Sequence, residues 1–179
     1  MNTYYTFEIQ LPESIQVNKQ KNILLLSGPL GSTGLNLEKI DTLGTNAFHF
    51  ESQTHTLKVM SSSKAWSGLL KKLLLNKIQG VTRGFLVYLK IIGIGYRASL
   101  ENNTLIFKLG YSHDIMYTIP SSIKVFLLDP TEICLFGIEK NQVTQIASIL
   151  RNFKKPSVYK GKGIRLSTEK IHLKTGKRK

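Results

Sequence analysis

Acidic residues are scarce in this chain: 11 Asp and Glu stand against 25 Lys and Arg, a formal net charge of +14 over 179 residues. An excess of that size says nothing about fold, but it favours a polyanionic partner, either nucleic acid or an anionic membrane surface. Cysteine is almost missing. Cys134 stands alone, which excludes an internal disulfide and any metal site built from several cysteines. Long apolar runs are missing too. The run at residues 23–26 is short and Lys90 interrupts the one at 85–92, so neither approaches the roughly 20 residues of a membrane-spanning helix. The opening MNTYYTFEIQLPESI has no cationic start followed by an apolar stretch, and no Arg-rich amphipathic character. It therefore reads as a mature start already entering a strand. With no signal towards a glycosylating compartment, the sequon Asn102-Asn103-Thr104 is expected to be a turn.

Clusters that carry chemistry are equally sparse. No serine, nor Cys134, stands in a nucleophile-elbow context, and no carboxylate pair offers an acid and a base. His49, His55, His113 and His172 lack the i, i+4 spacing of a zinc helix. Gly93-Ile94-Gly95-Tyr96-Arg97-Ala98 matches the G-x-G-x-x-A dinucleotide pattern, but that chemistry needs the glycines to open a helix. Here a turn signal and another strand follow, so a glycine-eased bend is expected. Gly28-Pro29-Leu30-Gly31-Ser32-Thr33-Gly34 has no Lys-Ser/Thr after it and reads as a turn. No enzyme, cofactor, metal or small-molecule substrate is expected.

What is present is a repeated plan. In the first half, residues 6–11, 14–18, 22–27, 35–40, 47–51 and 54–60 read as strands separated by Gly, Pro, Ser and Asn. A helix follows, capped by Ser61 to Ser63. Its apolar stripe is Trp66, Leu69, Leu70, Leu73, Leu74 and Ile78, with Lys64, Lys71, Lys72 and Lys77 turned away and Gly80 as the stop. The second half offers strands at 85–92, 96–101, 104–109, 114–119, 123–128 and 131–136. Its helix has Val143, Ile146, Ala147, Leu150 and Phe153 on one face and is stopped by Pro156. The fold class expected is α+β: two similar lobes from an internal duplication, each a mostly antiparallel sheet packed against a helix, plus a basic C-terminal tail. The domains are placed at 1–81, 82–155 and 156–179, with Gly80 to Gly84 as the joint.

The charge collects at one end. Lys154, Lys155, Lys160, Lys162, Arg165, Lys170, Lys174, Lys177, Arg178 and Lys179 face only Glu169, and so supply nine of the fourteen net charges. Lysines contact phosphates with little choice of sequence. Gly161 and Gly163 let backbone amides approach an anionic surface, and Tyr159 offers a ring to a base. Arg97 is a further candidate from the second lobe. The tail is expected not to pack, so that deleting residues 157–179 leaves both lobes folded.

The stretch Pro156-Ser157-Val158-Tyr159-Lys160-Gly161-Lys162-Gly163-Ile164-Arg165 resembles the signature of the bacterial-type large-subunit ribosomal protein six family. The resemblance extends through Leu11-Pro12-Glu13-Ser14-Ile15, Gly80-Val81-Thr82-Arg83-Gly84-Phe85, Gly93 to Ala98, Leu109-Gly110-Tyr111-Ser112-His113 and Gly137-Ile138-Glu139-Lys140. It departs at the start, where Asn2-Thr3-Tyr4-Tyr5 replaces a basic run, and at Leu166, where an aromatic is usual. The resemblance implies a two-lobed, non-catalytic component of the large ribosomal subunit. Its implied partners are large-subunit rRNA and neighbouring large-subunit proteins, with translational GTPases docking nearby at the sarcin–ricin loop and stalk base. No membrane is involved. A free-standing organellar RNA-binding or RNA-chaperone protein is the alternative. The prevalence of Lys over Arg, with plentiful Ile, Asn and Leu, fits an AT-rich genome and an organellar, mitochondrial ribosome; a plastid or a bacterial cytoplasm would carry the same bias.

Overall fold

The computed structural model describes residues 4–20, 22–37, 40–41, 46–51 and 54–176. The chain divides into two compact units, Met1–Gly84 and Phe85–Lys179.

In the first unit, β1 (Tyr5–Gln10), β5 (Ala47–Glu51) and β6 (Thr56–Ser61) form an antiparallel sheet in the order β1-β6-β5. A meander of β2 (Gln16–Gln20), β3 (Ile23–Gly28) and β4 (Gly31–Asn36) forms a second sheet. Period-two alternation turns Leu24, Leu26, Leu35, Leu57 and Val59 inward, where all are buried. Helix α1 (Lys64–Thr82) packs on them, with the Ser63 hydroxyl accepting from the Trp66 amide at its N-terminus.

In the second unit, β7 (Phe85–Ile92) is followed by a meander of β8 (Arg97–Glu101), β9 (Thr104–Lys108) and β10 (Ile115–Thr118). Next come β11 (Ile123–Asp129), β12 (Glu132–Gly137) and α2 (Lys140–Phe153), and finally β13 (Gly163–Leu166). The larger sheet runs β11-β12-β7-β13. Element by element β7, β12 and β11 repeat β1, β6 and β5, the two meanders correspond, and each helix follows its last hairpin strand. The duplicated α+β plan is therefore present in the topology. β13 has no counterpart among the described residues of the first unit.

Several expectations are corrected. Gly80 does not stop α1: it is buried inside the helix, which runs to Thr82 and ends at Gly84 in the left-handed region, φ 71°. Gly80, Val81 and Thr82 are thus helix rather than joint. The buried stripe of α1 is Leu70, Leu74, Gly80 and Val81, leaving Leu69 exposed. Lys77 does not turn away, because its Nζ donates to Thr33 Oγ1 at 2.9 Å. Gly28 to Gly31 forms a two-residue hairpin turn, but Ser32, Thr33 and Gly34 are strand. The expected strand at 35–40 is displaced N-terminally, and residues 38–39 lie outside the described set. The bend at Gly93 holds: the Tyr96 amide donates to the Gly93 carbonyl and β8 follows, with no helix. Asn102 and Asn103, both at positive φ, make the two-residue turn between β8 and β9.

Candidate nucleic-acid interface

The largest correction concerns the C-terminal segment. It was expected to lie free of the lobes, yet residues 163–166 are the fourth strand of the second unit's sheet. Antiparallel pairing sets Gly163 opposite Ile92, Ile164 opposite Ile91, Arg165 opposite Lys90 and Leu166 opposite Leu89. Ile164 is fully buried among Leu89, Ile133 and Leu150. The physical reason is simple alternation: Ile164 and Leu166 are two apolar residues at period two, enough to complete a sheet whose edge would otherwise be open.

Pro156 and the end of α2 turn the chain into a closed loop. The Gly161 amide donates to the Ser157 carbonyl (2.8 Å) and the Ser157 amide to the Lys162 carbonyl (3.0 Å). The Ser157 hydroxyl accepts from the Tyr159 and Lys160 amides. Gly161 sits at φ 69° and supplies the reversal. Tyr159 and Lys160 are exposed on this loop, and Lys155 is exposed just before it. Further on, the Lys174 amide donates to the Val158 carbonyl (2.9 Å), which brings Lys174 back beside the loop. Lys170 is also exposed.

Not every predicted residue is equally available. Lys154 Nζ lies 3.9 Å from the centroid of the Tyr111 ring and 5.8 Å from that of Tyr96, a cation–π seat. Tyr111 is itself held by donating its hydroxyl to the Phe153 carbonyl. Lys162 is half-buried and Gly163 is buried. Arg97 is exposed on β8, in the other sheet of the unit, opposite Lys108. Lys177, Arg178 and Lys179 lie outside the described residues. Sequence reasoning missed the scaffold residues Tyr96, Tyr111 and Arg151. The first two stand in the stretches Gly93–Ala98 and Leu109–His113, whose tyrosines were the available signal.

Glu169, read as the one charge opposing the cations, has a different task. Arg151 Nε donates to Glu169 Oε2 at 2.9 Å and a second guanidinium nitrogen meets Oε1, while the Leu166 amide also points at Oε2. The Arg151 hydrogen bonds hold the Glu169 carboxyl below its ordinary value, against the opposing effect of partial burial. A carboxyl lowered in the folded state stabilises when ionised. Its contribution is complete above the ordinary carboxylate range and is lost as pH falls through the lowered value. Glu169→Gln is therefore expected to flatten the acid limb of the stability–pH curve, measured by urea unfolding between about pH 3 and 6. An acid limb identical to that of the parent chain would remove the pair from this role.

Among the described residues no cluster of His, Cys, Asp and Glu is arranged to hold a metal, and no helix is long and apolar enough to cross a membrane. Residues 92–166, from the end of β7 through the end of β13, match the family described as Ribosomal protein L6. Over 184 aligned positions the chain is 47% identical to large ribosomal subunit protein uL6m of Prototheca wickerhamii, covering 96% of this chain and 95% of that protein. The chain belongs to the uL6 family of large ribosomal subunit proteins. Bacterial uL6 relatives include those of Gluconacetobacter diazotrophicus, 35% identical with 97% of each chain covered, and Thermotoga maritima, 36% identical with 95% of each covered. The likeness to uL6m makes this a mitochondrial-type uL6, and uL6 is a family of ribosomal structural proteins rather than enzymes.

Proposed function

We infer that the protein is a structural, rRNA-binding component of the mitochondrial large ribosomal subunit, acting in translation and subunit assembly. It sits among neighbouring large-subunit proteins near the sarcin–ricin loop and stalk base, where translational GTPases dock. The observation that carries this reading is the closed loop at 157–162. Its backbone is fixed by its own hydrogen bonds, and Lys155, Lys160 and, through the Val158 contact, Lys174 are displayed around it. A held loop brings cations to phosphates at a lower entropic cost than a free tail does. Lys170, Lys177, Arg178 and Lys179 extend the phosphate contacts, and Tyr159 is placed to stack on a base. Lys154 and Lys162 flank the loop at its two ends. Arg97 is an auxiliary contact from β8.

The test is binding of a large-subunit rRNA fragment across a salt series. Replacing Lys155, Lys160, Lys170 and Lys174 together with Ala is expected to leave folding intact, because all four side chains are exposed. It should flatten the slope of log affinity against log salt by about 3 to 4, the counterion release of four phosphate contacts. An unchanged slope would move the RNA site elsewhere. Sedimentation of the tagged protein as free material, rather than with the large subunit, would instead favour a free-standing RNA-binding protein.

A further inference from the structure

Because the two units share one topology, the outward faces of their helix-backed sheets can be compared strand by strand. In the first unit that face is mostly polar, with Met60 on β6 its one large exposed apolar side chain among the described residues. It carries Glu8 on β1, Lys58 on β6 and Glu51 on β5, with Lys58 Nζ 3.4 Å from each carboxylate. The corresponding face of the second unit is apolar. Leu86 and Tyr88 on β7, and Phe126 and Leu128 on β11, are 53%, 39%, 50% and 57% exposed. Phe136 on β12 lies half-buried beside them. The fold does not require these side chains to be apolar, since its own duplicate does without them. A contiguous exposed patch of this kind marks a binding surface.

Register arranges the face in rows. Cys134 has Tyr88 on one side and Phe126 on the other, and Phe136 lies between Leu86 and Lys124 in the next row. Beside Leu86 and Tyr88, where β13 ends, the apolar surface continues into a cleft of about 270 Å³ floored by Ala147 and Leu166. The row on the other side of Cys134 is charged: Asp129 on β11, Glu132 on β12, Lys90 on β7 and Arg165 on β13 follow one another across the sheet. Glu132 pairs with Lys90 at 3.5 Å, and Arg165 stands directly opposite Lys90 at the β13 end. Like charges directly opposite one another weaken a sheet. Arg165 Nε is buried and has no hydrogen-bond partner. Glu169 lies within electrostatic reach of Arg165, but its oxygens are taken by Arg151 and the Leu166 amide. The carboxylates lie towards β11 and the cations towards β13, so an anion fits at the β13 end of this row, beside Arg165.

We propose that the outward face of the β11-β12-β7-β13 sheet is a second RNA-binding surface, on which unpaired bases stack against Tyr88, Phe126 and Phe136 while a phosphate sits between Arg165 and Lys90. The proposal rests on the rRNA-binding reading above and extends it from the loop to the sheet that anchors it. β13 follows the loop directly in the chain, so the two surfaces are continuous within one unit. Aromatic rings on an antiparallel sheet stack bases of any identity, because every base has a π-face. A protein partner fits the charged row less well, since interface cores are depleted of charge.

The experiment uses the full chain and an unstructured single-stranded RNA dodecamer. Tyr88→Leu with Phe126→Leu keeps the face apolar and removes two rings. Affinity is expected to fall by about fivefold to a hundredfold per ring, with the salt slope unchanged because no charge is lost. Phe126→Trp is expected to keep the affinity, with its indole fluorescence quenched on RNA binding above the background from Trp66. Normal RNA affinity of the double variant and no quenching in F126W, with the four-lysine variant still losing its slope, would overturn the sheet surface and leave the loop reading standing. Normal RNA affinity combined with failure of the double variant to sediment with large subunits would also overturn it, giving the face to a protein neighbour. Loss of affinity in the double variant with the four-lysine variant unaffected would support the sheet surface and set the loop aside.

Discussion

Ending the chain at Lys155 is expected to unfold the second unit, and not merely to remove a basic appendage. Truncation strips β13 from the edge of β7, exposes the paired backbone from Leu89 to Ile92, and takes fully buried Ile164 out of the core. It also removes Glu169 from Arg151 and the Ser167 amide from the Tyr88 carbonyl. Ile164→Ala in the full chain isolates one part of that loss, about 2–5 kcal/mol for a buried aliphatic side chain. Small domains have only about 5–15 kcal/mol in total. At about 4–8 °C per kcal/mol for a unit of this size, the single substitution is expected to lower the second unit's melting transition by on the order of 10 °C or more. In the truncated chain that transition should vanish. Trp66, the only tryptophan, lies in the first unit, so its fluorescence follows that unit separately while calorimetry follows both. Two undisturbed transitions in the truncated chain would restore the segment to an unpacked tail.

Most of the fold was legible because strong periodicity and strong punctuation coincide. The expected bounds of β7 match the observed ones, since Phe85–Ile92 is a run of strand formers broken only by Lys90 and bounded by glycines. The α2 face was read correctly because Val143, Ile146, Ala147 and Leu150 recur at helical spacing with polar residues between them, and all four are buried. α1 was harder. Its leucines are so dense that several stripes fit, and only the sheet beneath decides that Leu70 and Leu74 turn in while Leu69 turns out. β13 was missed for a different reason. A four-residue strand with a glycine and an arginine carries almost no intrinsic signal, and what makes it a strand is the open edge of β7, distant in sequence. The same holds for the candidate site. Charge content singles out the C-terminal segment, but local composition cannot show that Lys154 is seated on Tyr111 or that Glu169 belongs to Arg151.

The two glycines of the signature, which the sequence gives one shared role, are expected to separate sharply. At Gly161 (φ 69°) a Cβ meets only the end of the Leu173 side chain, 3.6 Å away. Gly161→Ala therefore costs about 1–2 kcal/mol for the left-handed backbone and little else. The loop and its lysines stay in place, so the salt slope of RNA binding should be unchanged. Gly163 is different in kind. Its φ of 143° disfavours any side chain, and a Cβ there would stand 2.7 Å from the Lys154 carbonyl, the Lys155 carbonyl and Pro156 Cα. All three are backbone atoms. The Lys154 carbonyl accepts from the Ile164 amide at 2.8 Å, so yielding to the new methyl breaks the bond that seats β13. Strain and overpacking each cost about 1–3 kcal/mol, so Gly163→Ala is expected to destabilise the second unit by roughly 2–6 kcal/mol. RNA affinity should fall with it, because the loop loses its anchor while every cation is retained. Calorimetry and rRNA binding on the same two variants decide the matter. Equal melting temperatures for the two would return Gly163 to the role the sequence suggested, a bare backbone position facing RNA rather than its own chain.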